Sequence, residues 1–100
     1  MSEPVTSAVV HDPQRQRFDL RLGEQSGHLT YRTEGDCVVF NHTHVPREFR
    51  GRGHAGVLVR EALEEARRRG WKIVPACSYV DVYIRRHPEY ARLLSGSPGS

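Results

Sequence analysis

The sequence predicts an α+β fold in which an antiparallel meander leads into a strand–helix–strand crossover, with short helices closing the chain. Three observations predict it. From Phe18 onward, three stretches alternate apolar and polar residues with a period of two. From Ala55 to Ala66, apolar residues recur at three- and four-residue spacing. Between these patterns lies a turn rich in glycine and arginine, Arg50-Gly51-Arg52-Gly53-His54-Ala55.

Residues 1–15 carry Pro4 and Pro13 with little periodicity and read as a flexible lead-in. Phe18, Leu20 and Leu22 then face one way, with Asp19 and Arg21 opposite. Residues 23–27 make a turn, His28-Leu29-Thr30-Tyr31-Arg32 alternates again, and Gly35-Asp36 turns a second time. Cys37 to Val45 makes the third strand. Short turns between successive strands predict antiparallel pairing. The helix follows, with Ala55, Leu58, Val59, Ala62, Leu63 and Ala66 on its apolar face. Arg67-Arg68-Arg69 suits its negative end, and Gly70 suits the position just beyond. Trp71 to Cys77 reads as a strand, and the helix before it makes a right-handed crossover that sets this strand parallel to the third. Val80 to Arg86 can form a short helix, and His87-Pro88 opens another through Leu94. The one domain therefore spans residues 16–94, with residues 95–100 a disordered tail rich in serine and glycine.

The turn at 50–55 is where chemistry is expected. Two glycines let backbone N–H groups approach a ligand without interference from a Cβ. The helix behind them offers unpaired N–H groups and a partial positive charge. Arg50, Arg52 and His54 add positive charge, so the segment suits a diphosphate. It is not a P-loop, because no Gly-Lys-Ser/Thr closes it, and the third glycine of the dinucleotide fingerprint is missing.

Composition narrows the partners. Fifteen Lys+Arg against twelve Asp+Glu leave a formal charge of +3, which suits one anionic ligand better than broad nucleic-acid binding. No apolar run approaches a membrane span, and the first residues lack the basic, apolar character of a signal peptide, so the expected location is cytoplasmic. Cys37 and Cys77 fit reduced thiols, with Cys37 assigned to packing.

Asn41-His42-Thr43-His44-Val45-Pro46, followed by Arg50 to Ala55, resembles the acetyl-CoA binding segment of the GNAT N-acetyltransferase superfamily. Arg50, Gly53 and Ala55 match that family's pattern. Val74-Pro75-Ala76-Cys77-Ser78-Tyr79, with Tyr83 and Arg86-His87-Pro88-Glu89-Tyr90, resembles the small stand-alone branch often called YjdJ-type. The resemblance implies a minimal GNAT-like fold with two splayed parallel strands. It lacks the pair of helices that larger members place after their first strand. It also implies that backbone at Thr43, His44 and Val45 pairs with the pantetheine amides. The pyrophosphate would rest on Arg50, Gly51, Arg52, Gly53, His54 and Ala55. His44 stands where the branch usually carries an acid.

The activity implied is acetyl transfer from acetyl-CoA to an amine. It needs a positioned thioester, a deprotonated nucleophile and a route for the proton. His42, which matches the branch's motif, is the candidate base, and a structural histidine at the strand end is the competing reading. His42 and His44 are assigned to opposite faces of their strand. Cys77, beside the splay, could carry the acetyl group as a thioester or be a core cysteine. Tyr79 and Tyr83 offer hydroxyls to the departing CoA thiolate, and an apolar helical face equally suits Tyr83 for packing. No resident metal is expected from the spacing of His42, His44, His54 and Cys77. The alternative function is a non-catalytic acyl-CoA sensor, and a nucleic-acid binder stands third. The expected partners are acetyl-CoA or CoA and an amine of unspecified size, in a monomer or a weak homodimer formed through an exposed strand edge.

Overall fold

The computed structural model describes residues 9–95. One sheet holds five strands in sequential order: β1 (Val9–Asp12), β2 (Arg17–Leu22), β3 (Gln25–Glu34), β4 (Cys37–His44) and β5 (Lys72–Pro75). The first four are antiparallel, and β4 and β5 are parallel. Helix α1 (His54–Arg69) makes the crossover, and α2 (Ser78–Arg86) follows β5. Short 3-10 segments lie at Arg47–Phe49 and Pro88–Leu93.

The meander has four strands where the sequence suggested three. The lead-in was drawn too far, because Val9–Asp12 pairs with β2 in the register Val9↔Leu20 to Asp12↔Arg17. The alternation is hidden because an imidazole takes an inward position. His11 stacks on Phe18 with ring centroids 4.2 Å apart, and its Nε2 lies 2.6 Å from the Tyr31 hydroxyl. Residues 1–8 of the lead-in and 96–100 of the tail lie outside the described residues. Ser95, the first residue assigned to the tail, donates its N–H to the Ile73 carbonyl at 2.9 Å. Cys37, assigned to packing, is half-buried at the start of β4, with Sγ 3.2 Å from the Ser95 hydroxyl.

The termini of α1 follow from glycine. Gly53 caps the start at φ 86° and Gly70 caps the end at φ 72°, where a Cβ would add strain. The Gly70 and Trp71 amides turn back onto Arg67 and Ala66 carbonyls, satisfying acceptors that the helix leaves open. The apolar stripe Leu58, Val59, Ala62, Leu63 and Ala66 is fully buried against Phe18, Leu20, Leu29 and Phe40 of the sheet. Removing a side chain such as Leu58 or Leu63 there costs about 2–5 kcal/mol.

One irregularity governs what the sheet presents. Thr30 pairs with His42 but Tyr31 pairs with Phe40, so Asn41 is an extra residue in β4. A bulge of this kind reverses which residues face the core. Phe40 faces the helices, and beyond the bulge it is Thr43, paired with Leu29, that does so. Buried residues of both helices join the cluster on that face. The other face carries Val10, 64% exposed, with Asp19, His28, Thr30 and His42.

Candidate functional site

The two parallel strands part company at Pro75. Their last pair is Phe40↔Pro75, after which the Cys77 N–H donates to the Phe40 carbonyl at 2.9 Å. The Ala76 amide turns back to Val74 instead of continuing the ladder, and Pro75 has no N–H to offer. β4 runs on through Asn41–His44 with no partner from β5, while the chain enters α2 at Ser78. In the gap, the Cys77 thiol donates to the Thr43 hydroxyl at 3.3 Å. Both side chains are buried, and both cysteines are free.

The turn beyond β4 is open. Gly51 and Gly53 have φ of 81° and 86°, and a Cβ built on either would meet nothing within 4 Å. No side chain caps α1, so its first-turn amides at His54, Ala55 and Gly56 have no acceptor from the helix or a cap. Arg50 folds back and donates from Nε to the Val45 carbonyl at 2.9 Å. The Arg52 guanidinium lies over the Phe49 ring, 5.8 Å from its centre.

A cavity of about 630 Å³ lies between this turn and α2. On one side it is lined by Val45, Arg50, Gly51, Gly53, His54 and Ala55, all anticipated from the sequence. On the other, α2 contributes Tyr79, Val82, Tyr83 and Arg86, with His87 just beyond. Among the described residues, no carboxylate lines it. Burial pushes the Tyr83 phenol up from its ordinary value, so it stays protonated near neutrality. Its ring stacks on His87, 4.1 Å between centroids.

A profile of the family described as GCN5-related N-acetyl-transferase matches residues 17–93. The chain belongs to that family. Protein NATD1 of Mus musculus is 35% identical over 83 residues, covering 80% of this chain and 76% of that one. Protein NATD1 of Homo sapiens is 34% identical over the same length, covering 80% and 74%. A solution structure of a GCN5-like putative N-acetyltransferase from Staphylococcus aureus superposes with a TM-score of 0.68 at 23% identity, covering 88% of this chain and 87% of that one. The fold is therefore the α+β GNAT fold that the motifs implied. In this GCN5-related N-acetyltransferase domain, β2 and β3 are joined by Gly23-Glu24 alone, tighter than the five-residue turn the sequence suggested. Among the described residues, no α-helix precedes α1.

The anticipated residues divide into groups within this GCN5-related frame. Tyr83 lines the cavity beside the glycine turn. Thr43 and Cys77 pair with each other behind it. Arg52, His42 and His44 are not part of its lining. The assignment of His42 and His44 to opposite faces is wrong. Residues two apart in a strand share a face, and these rings stack at 12° with centroids 6.5 Å apart. His28 joins them at 5.9 and 5.4 Å, giving three imidazoles on the face away from α1. Burial, then Arg17 and the neighbouring histidines, holds His28 below its ordinary value. Among the described residues, no group of three His, Cys, Asp or Glu is arranged to hold a metal ion. No helix there is long and apolar enough to cross a membrane.

Sequence reading brought Tyr79 and Tyr83 of α2 to the site but missed Val82 and Arg86, which line the same cavity. The signal was present in the spacing of Tyr79, Val82, Tyr83 and Arg86, which is i, i+3, i+4, i+7 and makes one helical stripe.

Proposed function

We propose that this domain binds acetyl-CoA in the cavity between the glycine turn and α2 and transfers the acetyl group to an amine. The observation that supports this is a carboxylate-free cavity bounded by the uncapped N-terminus of a 16-residue helix, with left-handed glycines at its rim. Such a terminus offers converging N–H groups and a positive potential to a diphosphate. The gap left where β5 departs from β4 gives the pantetheine arm the side of β4 that β5 no longer pairs, at Thr43 and His44 and on to Val45, while β3 keeps the other side. Arg50 must release the Val45 carbonyl for that carbonyl to take a pantetheine amide.

In the reaction proposed, the amine nitrogen attacks the thioester carbonyl, the carbon–sulfur bond breaks, and CoA leaves as a thiolate. Tyr79, at the start of α2 where the strand gap opens, supplies a proton to that thiolate, while Tyr83 sits against the first turn of α1. His42 takes the proton lost by the amine, from the sheet face that no helix covers. Direct transfer fits the placement of Cys77 better than a thioester on its sulfur. That thiol is 8% exposed and donates to Thr43 rather than to a base. Intact-mass analysis after incubation with acetyl-CoA decides the route: an acetyl adduct lost in Cys77→Ala establishes the covalent path.

The same placement gives weight to a second reading, a sensor that binds acyl-CoA without turnover, because Cys77 and His42 lie on different sides of the sheet. Titration calorimetry with acetyl-CoA, followed by CoA release with a panel of amines, tests both readings. Zero binding heat refutes both. Binding without release by wild type selects the sensor, and equal release by wild type and His42→Ala removes His42 from the mechanism.

A further inference from the structure

Helix α2 presents one stripe to the cavity, and the stripe changes character along its length. It begins with Tyr79 and Val82, large side chains left 51% and 43% exposed where they line the cavity. It continues with Tyr83, whose ring would lie 3.9 Å from a Cβ built on Gly56 in the first turn of α1. It ends with Arg86. From Ser78 to Arg86 the axis advances about 12 Å at 1.5 Å per residue. The stripe therefore runs from the strand gap, past the N-terminus of α1, to a point beyond it.

Arg86 differs from the arginine beside it. Arg85 points elsewhere and pairs with Asp81 at 3.3 Å. Arg86 lines the cavity and forms no ion pair or side-chain hydrogen bond among the described residues. The carbonyls of Tyr83 and Ile84 at this helix end accept the His87 N–H, which softens their repulsion of an anion. Glu89, exposed in the next turn, is the nearest acid in sequence, and it is absent from the cavity lining.

We infer that Arg86 recognises the 3′-phosphate of coenzyme A and makes the site selective for CoA over dephospho-CoA. This rests on the acetyl-CoA reading above. The order along α2 matches the order along that ligand. The apolar residues lie where the pantetheine arm would run, and Tyr83 is level with the diphosphate seat. The free guanidinium lies one turn further out, where the ribose phosphate follows. An anion separate from the diphosphate would find its charge partner there.

Calorimetry with CoA and dephospho-CoA on wild type, Arg86→Met, Arg86→Lys and Arg67→Met tests the assignment. Arg67 is an exposed arginine at the far end of α1 and controls for net charge alone. Wild type and Arg67→Met are expected to prefer CoA by about tenfold, which is 1.4 kcal/mol. Arg86→Met loses the preference while holding dephospho-CoA as wild type does, and Arg86→Lys keeps part of it. Equal affinity of wild type for both ligands overturns the inference and leaves the acetyl-CoA reading standing. A preference that survives in Arg86→Met overturns the assignment to this residue. Binding of neither ligand by wild type overturns the acetyl-CoA reading itself. Arg86 is exposed on a helix surface, so unchanged thermal melting of the variants confirms that affinity and not folding is read.

Discussion

Gly27→Ala tests whether the approach of α1 to the sheet positions the site. Gly27 lies in β3 opposite Leu20, on the helix-facing side, and is buried. A Cβ there would sit 2.9 Å from the His44 carbonyl oxygen and 3.4 Å from Leu58 Cδ1. Leu58 can rotate slightly, but the carbonyl belongs to β4 and moves only with its strand. Overpacking of this kind costs about 1–3 kcal/mol. For a domain of this size each kcal/mol is roughly 4–8 °C in Tm, so a fall of about 5–20 °C is expected by circular dichroism. Because the displaced group adjoins Val45, acetyl-CoA affinity measured well below Tm should fall as well. Gly35→Ala is the comparison. Its Cβ meets nothing within 4 Å, and φ is +59°, so only backbone strain of about 1–2 kcal/mol applies and affinity should not change. If Gly27→Ala melts within a degree or two of wild type, or loses stability with no loss of affinity, the reasoning about the carbonyl is wrong.

Acidification should destabilise the fold in a defined window. His11 and His28 both sit below the ordinary value of 6.5, chiefly through burial, with Glu65 opposing the shift at His11 and Arg17 adding to it at His28. The unfolded chain then takes up protons first, so stability is level above that value and declines below it until the folded-state values are passed. Thermal melts between about pH 7.5 and 5.5 should show this fall, with the slope reduced in His11→Phe, and a flat profile would contradict it. Tyr90→Phe should cost about 1 kcal/mol, because its hydroxyl donates to Glu64 Oε2 at 2.5 Å and so ties the last 3-10 segment to α1. Urea unfolding reads that loss, and an unchanged midpoint would mean the contact contributes nothing.

Much of the fold could be read because its signals are local. The stripe from Leu58 to Ala66 and the glycines at both ends of α1 lie within a few residues of what they determine, and the helix was placed to within one residue. Half of the candidate site was legible for the same reason, since a glycine–arginine turn ahead of a helix is contiguous in sequence. The missed parts depend on contacts between distant residues. Strand β1 is recognisable only once His11 is known to stack on Phe18 and approach Tyr31. The α2 wall becomes part of a site only because β5 ends at a proline and sends the chain across the mouth of the glycine turn.

The bulge at Asn41 ties these observations together. Without it, Phe40 and His42 would share the buried face, setting an imidazole in the core and turning Thr43 outward. With it, one strand lays Phe40 under the helices, gives Thr43 to Cys77 in the gap, and turns His42 and His44 to the face opposite α1. That arrangement separates a thiol that is buried and hydrogen-bonded from imidazoles on the opposite face. A thioester held in the gap between β4 and β5 would lie between the two sides, which an acceptor reaches from the face left uncovered by helices. On the function proposed above, direct transfer to an externally presented amine is the route we propose over a relay through Cys77. Deleting Asn41 should leave CoA binding and acetyl transfer largely in place, because Phe40 and His42 already face Tyr31 and Thr30 and the shortened strand keeps those partners. Loss of transfer alone would mean that the local bend of the bulge, and not the register, shapes the gap.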